Sequence, residues 1–260
     1  MNIKAIVRRF PELDEIEVYG LGDLHIGSRE FDKRAFKVIV QEILAKGNRY
    51  CVVLGDVVDN GLENSKTSPY SQLMTPHEQM DDAQELLQPL ADGKRILGWT
   101  DGNHEQRTSK LADVDISKLL AERLGVSDEY RPGLCPLMLF VGDRKNHHTQ
   151  PPAYSVGITH GSSGGFTLGA GLTKAESFAL ANGFDVLVVG HSHKPSTAPS
   201  VRFYADYAHG CMTSKIIRIM VCTGWLEYGG YPISKMYKPV AIQPSKLILS
   251  GEKYDARVLG

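Results

Sequence analysis

Cysteine is scarce in this chain and scattered. Cys51, Cys135, Cys211 and Cys222 form no Cys-x-x-Cys pair. That spacing excludes a zinc finger or ribbon and a dense disulfide framework, and leaves core cysteines of a reducing compartment. Long apolar runs are missing as well, so no segment reads as a membrane span. The opening stretch MNIKAIVRRFPELDE carries no secretory apolar region, which makes a cytoplasmic protein the expectation. Charge of one sign is absent too: 29 Lys and Arg stand against 30 Asp and Glu, a formal net charge of -1. A general polyanion binder is excluded on that balance, although a local basic cleft is not. No Walker-type GxxxxGK[ST] loop, helix-turn-helix, finger or RNA-binding motif occurs, and there is no internal repeat or low-complexity stretch.

What remains is an ordinary globular composition, 42% hydrophobic and 23% charged over 260 residues. That length is ample for a well-buried core, and without a composition break it reads as a single domain over residues 1–260. Five short apolar runs end in glycine plus a polar residue: EIEVYGLGD (15–23), YCVVLGD (50–56), KRILGWTDGNH (94–104), AYSVGITHG (153–161) and FDVLVVGHSH (184–193). Such runs predict buried strands. Helical spacing is predicted between them over 31–47, 75–90, 113–125 and 172–183. Thr75 and Asp113 are the expected N-caps, and Gly47, Gly125 and Gly183 the expected stops. Alternating strands and helices imply βαβ units. Beyond His193 the pattern turns to β-like pieces, VRFYADYAHG, IIRIMVCTG and SKLILSG, so a mainly parallel first part and a more antiparallel second part are expected. Two loops are long, 61–74 and 161–171; the first reads equally as a functional loop or a solvated surface excursion, and the second as a flexible wall near a site.

Chemistry gathers at the strand ends. Asp23 and His25 lie in GDLHIG, Asp56 in GDVVDN, Asn103 and His104 in GNHE, His160 in THG, and His191 and His193 in GHSH. In an open α/β sheet the carboxyl ends of the strands form the ligand crevice, so separate segments would deliver these groups to one place. A lone Asp after a strand is usually a cap, and a lone His is usually structural. Five such pieces in order are not explained that way. Nitrogen and oxygen donors without sulfur suit Mn²⁺, Fe or Zn²⁺.

The ordered set GDxH, GDxxDN, GNHE, H and GHxH resembles the calcineurin-like metallophosphoesterase superfamily over Gly22 to His193. The THGSSGG loop and the tail CTGWLEYGGYPISKMYKP are more similar to stand-alone microbial and phage-type phosphodiesterases or nucleases of that superfamily. The resemblance implies a four-layered α/β/β/α sandwich with mixed sheets, in agreement with the change of strand character. It implies two divalent metal ions, one held by Asp23, His25 and His193, the second by Asn103, His160 and His191, with Asp56 bridging. Mn²⁺ is the first expectation, with Fe, Zn²⁺, Ni²⁺ and Co²⁺ as the other candidates. His191 and His193 would then stand one residue apart because each serves a different ion.

The same resemblance implies in-line attack by a hydroxide bridging the two ions, with His104 as the general acid and Asp59 orienting it. Asn60 is expected either to touch phosphate or to shape its turn, and Glu105 to play a supporting part. Arg29, Lys33, Arg107 and Lys110 follow two of the motifs, where a substrate backbone could pass. His77, His147, His148 and His209 carry less weight. The expected substrate is a phosphodiester, DNA, RNA or a nucleotide, because the protein phosphatases of the superfamily resemble GDxVDRG where this chain has Asn60. A phosphomonoesterase of the same fold is the alternative, and a non-catalytic scaffold subunit a weaker one. Nothing in the pattern fixes an oligomeric state.

Overall fold

The computed structural model describes residues 3–63, 65, 68–143, 151–162, 168–229, 233 and 239–260. Eleven strands and five α-helices are described: β1 (Ile6–Phe10), β2 (Glu15–Leu21), α1 (Lys33–Leu44), β3 (Arg49–Val53), α2 (Pro76–Asp92), β4 (Ile96–Trp99), α3 (Glu105–Ala112), α4 (Ile116–Arg123), β5 (Cys135–Val141), β6 (Ala153–Thr159), α5 (Leu168–Asn182), β7 (Val186–Val189), β8 (Ser196–Asp206), β9 (Cys211–Val221), β10 (Lys246–Ser250) and β11 (Ala256–Leu259). They form a six-stranded sheet, ordered β1-β5-β6-β7-β9-β8, and a five-stranded sheet, ordered β11-β10-β2-β3-β4.

The four layers follow from strand alternation, which sends successive side chains to opposite faces. In β2, Ile16 and Val18 meet Leu137, Val156, Val188 and Met220 between the sheets. Tyr19 and Leu21 point the other way, onto a helical layer built from Phe36 and Ile43 of α1, Leu87 and Leu90 of α2 and Leu120 of α4. On the far side of the six-stranded sheet, Leu187, Val189, Ile217 and Ile219 pack under Ala175 and Ala179 of α5. The sheets approach closely at Gly20, where a Cβ would stand 2.2 Å from Cys222 Sγ. The expected α/β/β/α sandwich with mixed sheets is therefore the observed one.

Local signals explain most boundaries. Residues 36, 39, 40 and 43 of α1 are its buried stripe, the i, i+3, i+4, i+7 spacing of an amphipathic helix. Thr75 closes a capping box with Glu78 at the start of α2, as expected of an N-cap. Asp113 does not cap α4. It ends α3 in the left-handed conformation, and Asp115 accepts from Lys118 N (2.9 Å) instead. Four elements lie outside the expected set, among them β11, a four-residue strand at the edge of the five-stranded sheet. Helix α3 is mostly polar, with only Glu105 buried, so it has no apolar stripe to announce it. Strands β1 and β5 pair in parallel. The second half is also less antiparallel than expected, since β9 joins β7 in parallel.

Candidate metal centre

Both sheets direct their carboxyl ends to the same rim. Asp23 and His25 follow β2, Asp56 and Asp59 follow β3, and Asn103 and His104 follow β4. His160 follows β6, while His191 and His193 follow β7. The loops after β2 and β3 run side by side through Asp23 N→Gly55 O (3.0 Å) and His25 N→Asp56 O (3.0 Å). Among the described residues, eight that are not glycine adopt positive φ, and six of them are Asp23, His25, Asp56, Asn60, His191 and His193. That conformation is strained for residues with a Cβ and persists where surrounding contacts over-determine it. The strain is thus concentrated in the motif loops.

Three groups of donors converge, each with atoms within 4.8 Å of one another: Asp23, His25 and His193; Asp56, His160 and His191; and His25, Asp56 and His104. His25 Nε2 lies 3.1 Å from His193 Nε2, and His191 Nδ1 lies 3.0 Å from His160 Nε2. Asn103 Oδ1 adds an oxygen 3.0 Å from His160 Nε2. All seven residues expected to hold metal are therefore brought together. The donor set fits divalent cations. Asp23 Oδ1 is buried and accepts no hydrogen bond, although His193 Nε2 stands 3.2 Å away. Ring nitrogens that face one another at such distances need a proton or a cation between them.

The electrostatics agree. Burial alone would raise the Asp56 carboxyl, but His160, His104 and His25 outweigh it and hold it far below the usual range. Burial disfavours the His160 imidazolium, yet Asp56 and Asp23 carry it up to about 10. Burial, followed by the neighbouring His104, lowers His25. A proton on His160 compensates a carboxylate cluster that a metal would compensate instead.

Supporting bonds orient the donors. His160 Nδ1 meets Leu54 O at 2.7 Å, leaving Nε2 toward the centre, the usual arrangement behind a ligating imidazole. Asp59 Oδ1 holds His25 Nδ1 (3.2 Å) and His104 Nδ1 (3.1 Å). His104 Nδ1 also reaches Asp59 O at 2.6 Å. His104 Nε2 accepts from Arg107 Nη2 (2.8 Å). That guanidinium occupies the lone pair a metal would need, which separates His104 from the other donors and suits it to proton work. Asn60 is fully buried, its amide spent on His104 O (2.7 Å) and Thr108 Oγ1 (2.8 Å). It shapes the turn rather than facing a substrate.

Glu105 is the hidden keystone of these loops. Its Oε2 accepts from Asp56 N (3.0 Å) and Gly102 N (3.0 Å), and its Oε1 from Val57 N (2.6 Å) and Val58 N (3.2 Å). Burial, then the Asp56 charge, push its carboxyl up to about 7, with the N–H donors pulling the other way. Gly102 makes this approach possible, since a Cβ there would stand 2.2 Å from Asp56 N. Glu105→Gln would turn an NH₂ toward two of the four donors. We expect a loss of roughly 2–6 kcal/mol, from about 1–3 kcal/mol for each of the two buried unsatisfied groups. Chemical denaturation reads this directly, and an unchanged midpoint would contradict the role.

Some contributors escape motif reasoning. Gln72, from the first long loop, donates to Asp59 Oδ2, and the buried Gln79 bonds both Gln72 and Asn60 N. Gln79 is a polar residue beside Met80 and Ala83 on the buried face of α2, and that is the only sequence signal it offers. Trp225 N donates to Asp23 O (3.0 Å), and its ring packs edge-on against Phe36. Elsewhere, His77 lies exposed on α2 and His209 pairs with Asp206 at the β8–β9 turn. His147, His148 and residues 163–167 of the second long loop lie outside the described residues.

A family model described as calcineurin-like phosphoesterase matches residues 16–195, which contain every residue of the centre. The chain belongs to the calcineurin-like phosphoesterase family. Members bind divalent metals, in keeping with the donor set. Solved structures similar to this phosphoesterase include a conserved uncharacterized protein of Streptococcus pneumoniae TIGR4, described as a predicted phosphoesterase, at 12% identity. That match covers 94% of this chain and 97% of the other, with a TM-score of 0.39. Wild-type Vps29 of Entamoeba histolytica complexed with zinc is similar at 10% identity, over 94% and 98% of the two chains, with a TM-score of 0.43. A hypothetical protein of Pyrococcus horikoshii OT3 is similar at 10% identity, over 94% and 87%, with a TM-score of 0.44. No curated protein matches the chain significantly. No helix among the described residues is long and apolar enough to cross a membrane.

Proposed function

We propose that this phosphoesterase is a phosphodiesterase acting on nucleic acid or nucleotides with two divalent ions, Mn²⁺ first among them. The observation that carries the reading is the convergence of two complete donor sets, Asp23, His25 and His193 beside Asp56, Asn103, His160 and His191, with His104 next to them. Bound ions would supply Lewis-acid polarisation of the phosphoryl group and a nucleophile at neutral pH. The chain's own residues position the ester and handle the proton. Asp59 orients His104 through Nδ1, so that Nε2 faces the centre and delivers a proton to the leaving oxygen.

One feature favours a diester. Asn60 stands where an arginine would compensate a dianionic monoester, and its amide is fully committed. One observation favours the monoesterase reading: Arg107 brings a guanidinium to His104 Nε2 and to Asp59 O (3.0 Å), and such a fork suits a dianion.

The comparison of kcat/KM for bis-p-nitrophenyl phosphate and p-nitrophenyl phosphate decides between them, followed by oligonucleotides against phosphopeptides. Diester preference of roughly tenfold or more, a difference of about 1.4 kcal/mol in barrier, is expected. Monoester preference without cleavage of DNA, RNA or cyclic nucleotides would reject the diesterase. Metal binding without hydrolysis of any ester would favour the scaffold reading.

A further inference from the structure

Strands β8 and β9 pair over their whole length, from Ser196↔Val221 to Asp206↔Cys211. Strand β7 pairs only with Arg218–Val221 of β9. Seven residues of β9, Cys211–Ile217, therefore have β8 as their only neighbour in the sheet, a two-stranded arm reaching about 24 Å at ~3.4 Å per residue. A two-stranded ribbon is marginal in water without a further surface to pack on. One face of this arm has such a surface: Arg202 and Lys215 are half-buried, and Lys215 pairs with Asp185 (2.7 Å).

The other face is bare. Register places Val201 opposite Ile216, Phe203 opposite Ser214 and Ala205 opposite Met212. Val201 is 51% exposed, Phe203 64%, Met212 62% and Ile216 53%, and Tyr207 at the tip is 93% exposed. None of these residues is charged. With Ala205 and Tyr207 included, the surface is on the order of 700 Å², against about 800 Å² per partner in a standard interface. That is the scale of the largest apolar patch on a typical monomer, roughly 300–600 Å² and often functional.

We propose that this face of the β8–β9 arm is the dimer interface, and that its partner is a second copy of this chain. An uncharged apolar face meets its own two-fold copy with no repulsion, and an isologous contact needs only one such patch. A nucleic acid would call for Lys or Arg here, and the arm's basic residues lie on the opposite face. The arm runs away from the metal centre: β8 begins three residues after His193 and its tip lies at the far end of the sheet. Dimerisation therefore leaves both centres open.

Sedimentation equilibrium of the full chain tests this, from sub-micromolar concentration to roughly 100 µM, where a micromolar interface is nearly saturated. The expected species has twice the chain mass of 28.6 kDa. The double variant Phe203→Glu, Ile216→Glu is expected to be monomeric over that range, with an unchanged far-ultraviolet spectrum and undiminished metal-dependent hydrolysis. Phe203→Leu should remain dimeric, as should Tyr70→Glu, an exposed control on the first long loop. If the double variant fails to fold, Val201→Lys with Met212→Lys tests the same face. A monomeric wild type overturns the proposal. So does a dimer that persists in a folded double variant, because its interface would lie elsewhere.

Discussion

Asp56→Asn is expected to strip the centre of metal while leaving the fold in place. Asp56 is the one carboxylate that enters two of the donor groups, with His25 and His104 in one and with His160 and His191 in the other. Its Oδ2 lies 3.3 Å from His160 Nε2 and 3.8 Å from His25 Nε2. Its Oδ1 accepts from His104 N at 2.8 Å. An asparagine can keep that last bond through its carbonyl, so the loop between β4 and α3 retains its anchor. What it cannot keep is the negative charge between imidazoles, and two cations held close together without it repel each other unscreened. Even a change one layer outside a metal's ligands costs about 10–100-fold in affinity, so a shared ligand should cost at least roughly 100-fold. Metal content after dialysis, read by mass spectrometry, should fall from two ions per chain to one or none, and turnover should fall with it. Chelation of the wild type should reproduce the loss, and Mn²⁺ should restore it. Asp206→Asn, at the hairpin tip, controls for a lost carboxylate. Two ions per chain in Asp56→Asn would show that the shared donor is misassigned.

How much of this was legible beforehand depended on whether a feature announces itself locally. The strand-end motifs did, because each sets a glycine and a polar donor after an apolar run, and a buried strand has few other reasons to end that way. The layers also followed, since alternation in β2 and the stripe of α1 are periodic signals. Helix α3 carries its meaning in single residues: Glu105 binds four backbone amides, and Arg107 lies one turn beyond His104. No hydrophobic periodicity marks such a helix. The misplaced cap at Asp113 has the same origin, because a short helix ending there was not foreseen and Asp115 became the cap of the next. Gln72 and Gln79 were invisible for a different reason. Their partners are Asp59 and Asn60, reached only when the loop before α2 folds back over the second motif, and single-sequence spacing carries no trace of that closure. The apolar face of the arm was on display as VRFYADYAHG and IIRIMVCTG, but only register shows that Val201, Phe203, Met212 and Ile216 share one side.

His104→Asn is expected to leave metal content intact and to slow turnover by roughly 10²–10⁴-fold, the usual range for a general acid. Geometry limits what the substitution removes. His104 belongs to neither complete donor set, and its Nε2 is covered by Arg107. An asparagine still offers an amide toward Asp59, so the turn after β3 keeps its partner. The lost property is a proton at the right place. Burial would lower the imidazole, but the Asp59 hydrogen bond and the Asp56 charge outweigh it and raise it above its ordinary value. Protonated, His104 holds Asp59 through Nδ1 and can donate from Nε2 only when the Arg107 guanidinium has turned away, and a phosphoryl oxygen gives it somewhere to turn. The effect should therefore depend on the leaving group. With a poor one, such as the ribose oxygen of an oligonucleotide, the full loss is expected. With nitrophenolate, which departs without protonation, the variant should approach wild-type turnover. The pH profile separates this from a structural defect. The wild-type rate on the poor leaving group should decline as pH rises through the His104 pKa, while the variant lacks that limb. Equal losses on both leaving groups, or wild-type turnover on the oligonucleotide, would remove His104 from the role of acid and leave the metal donors untouched.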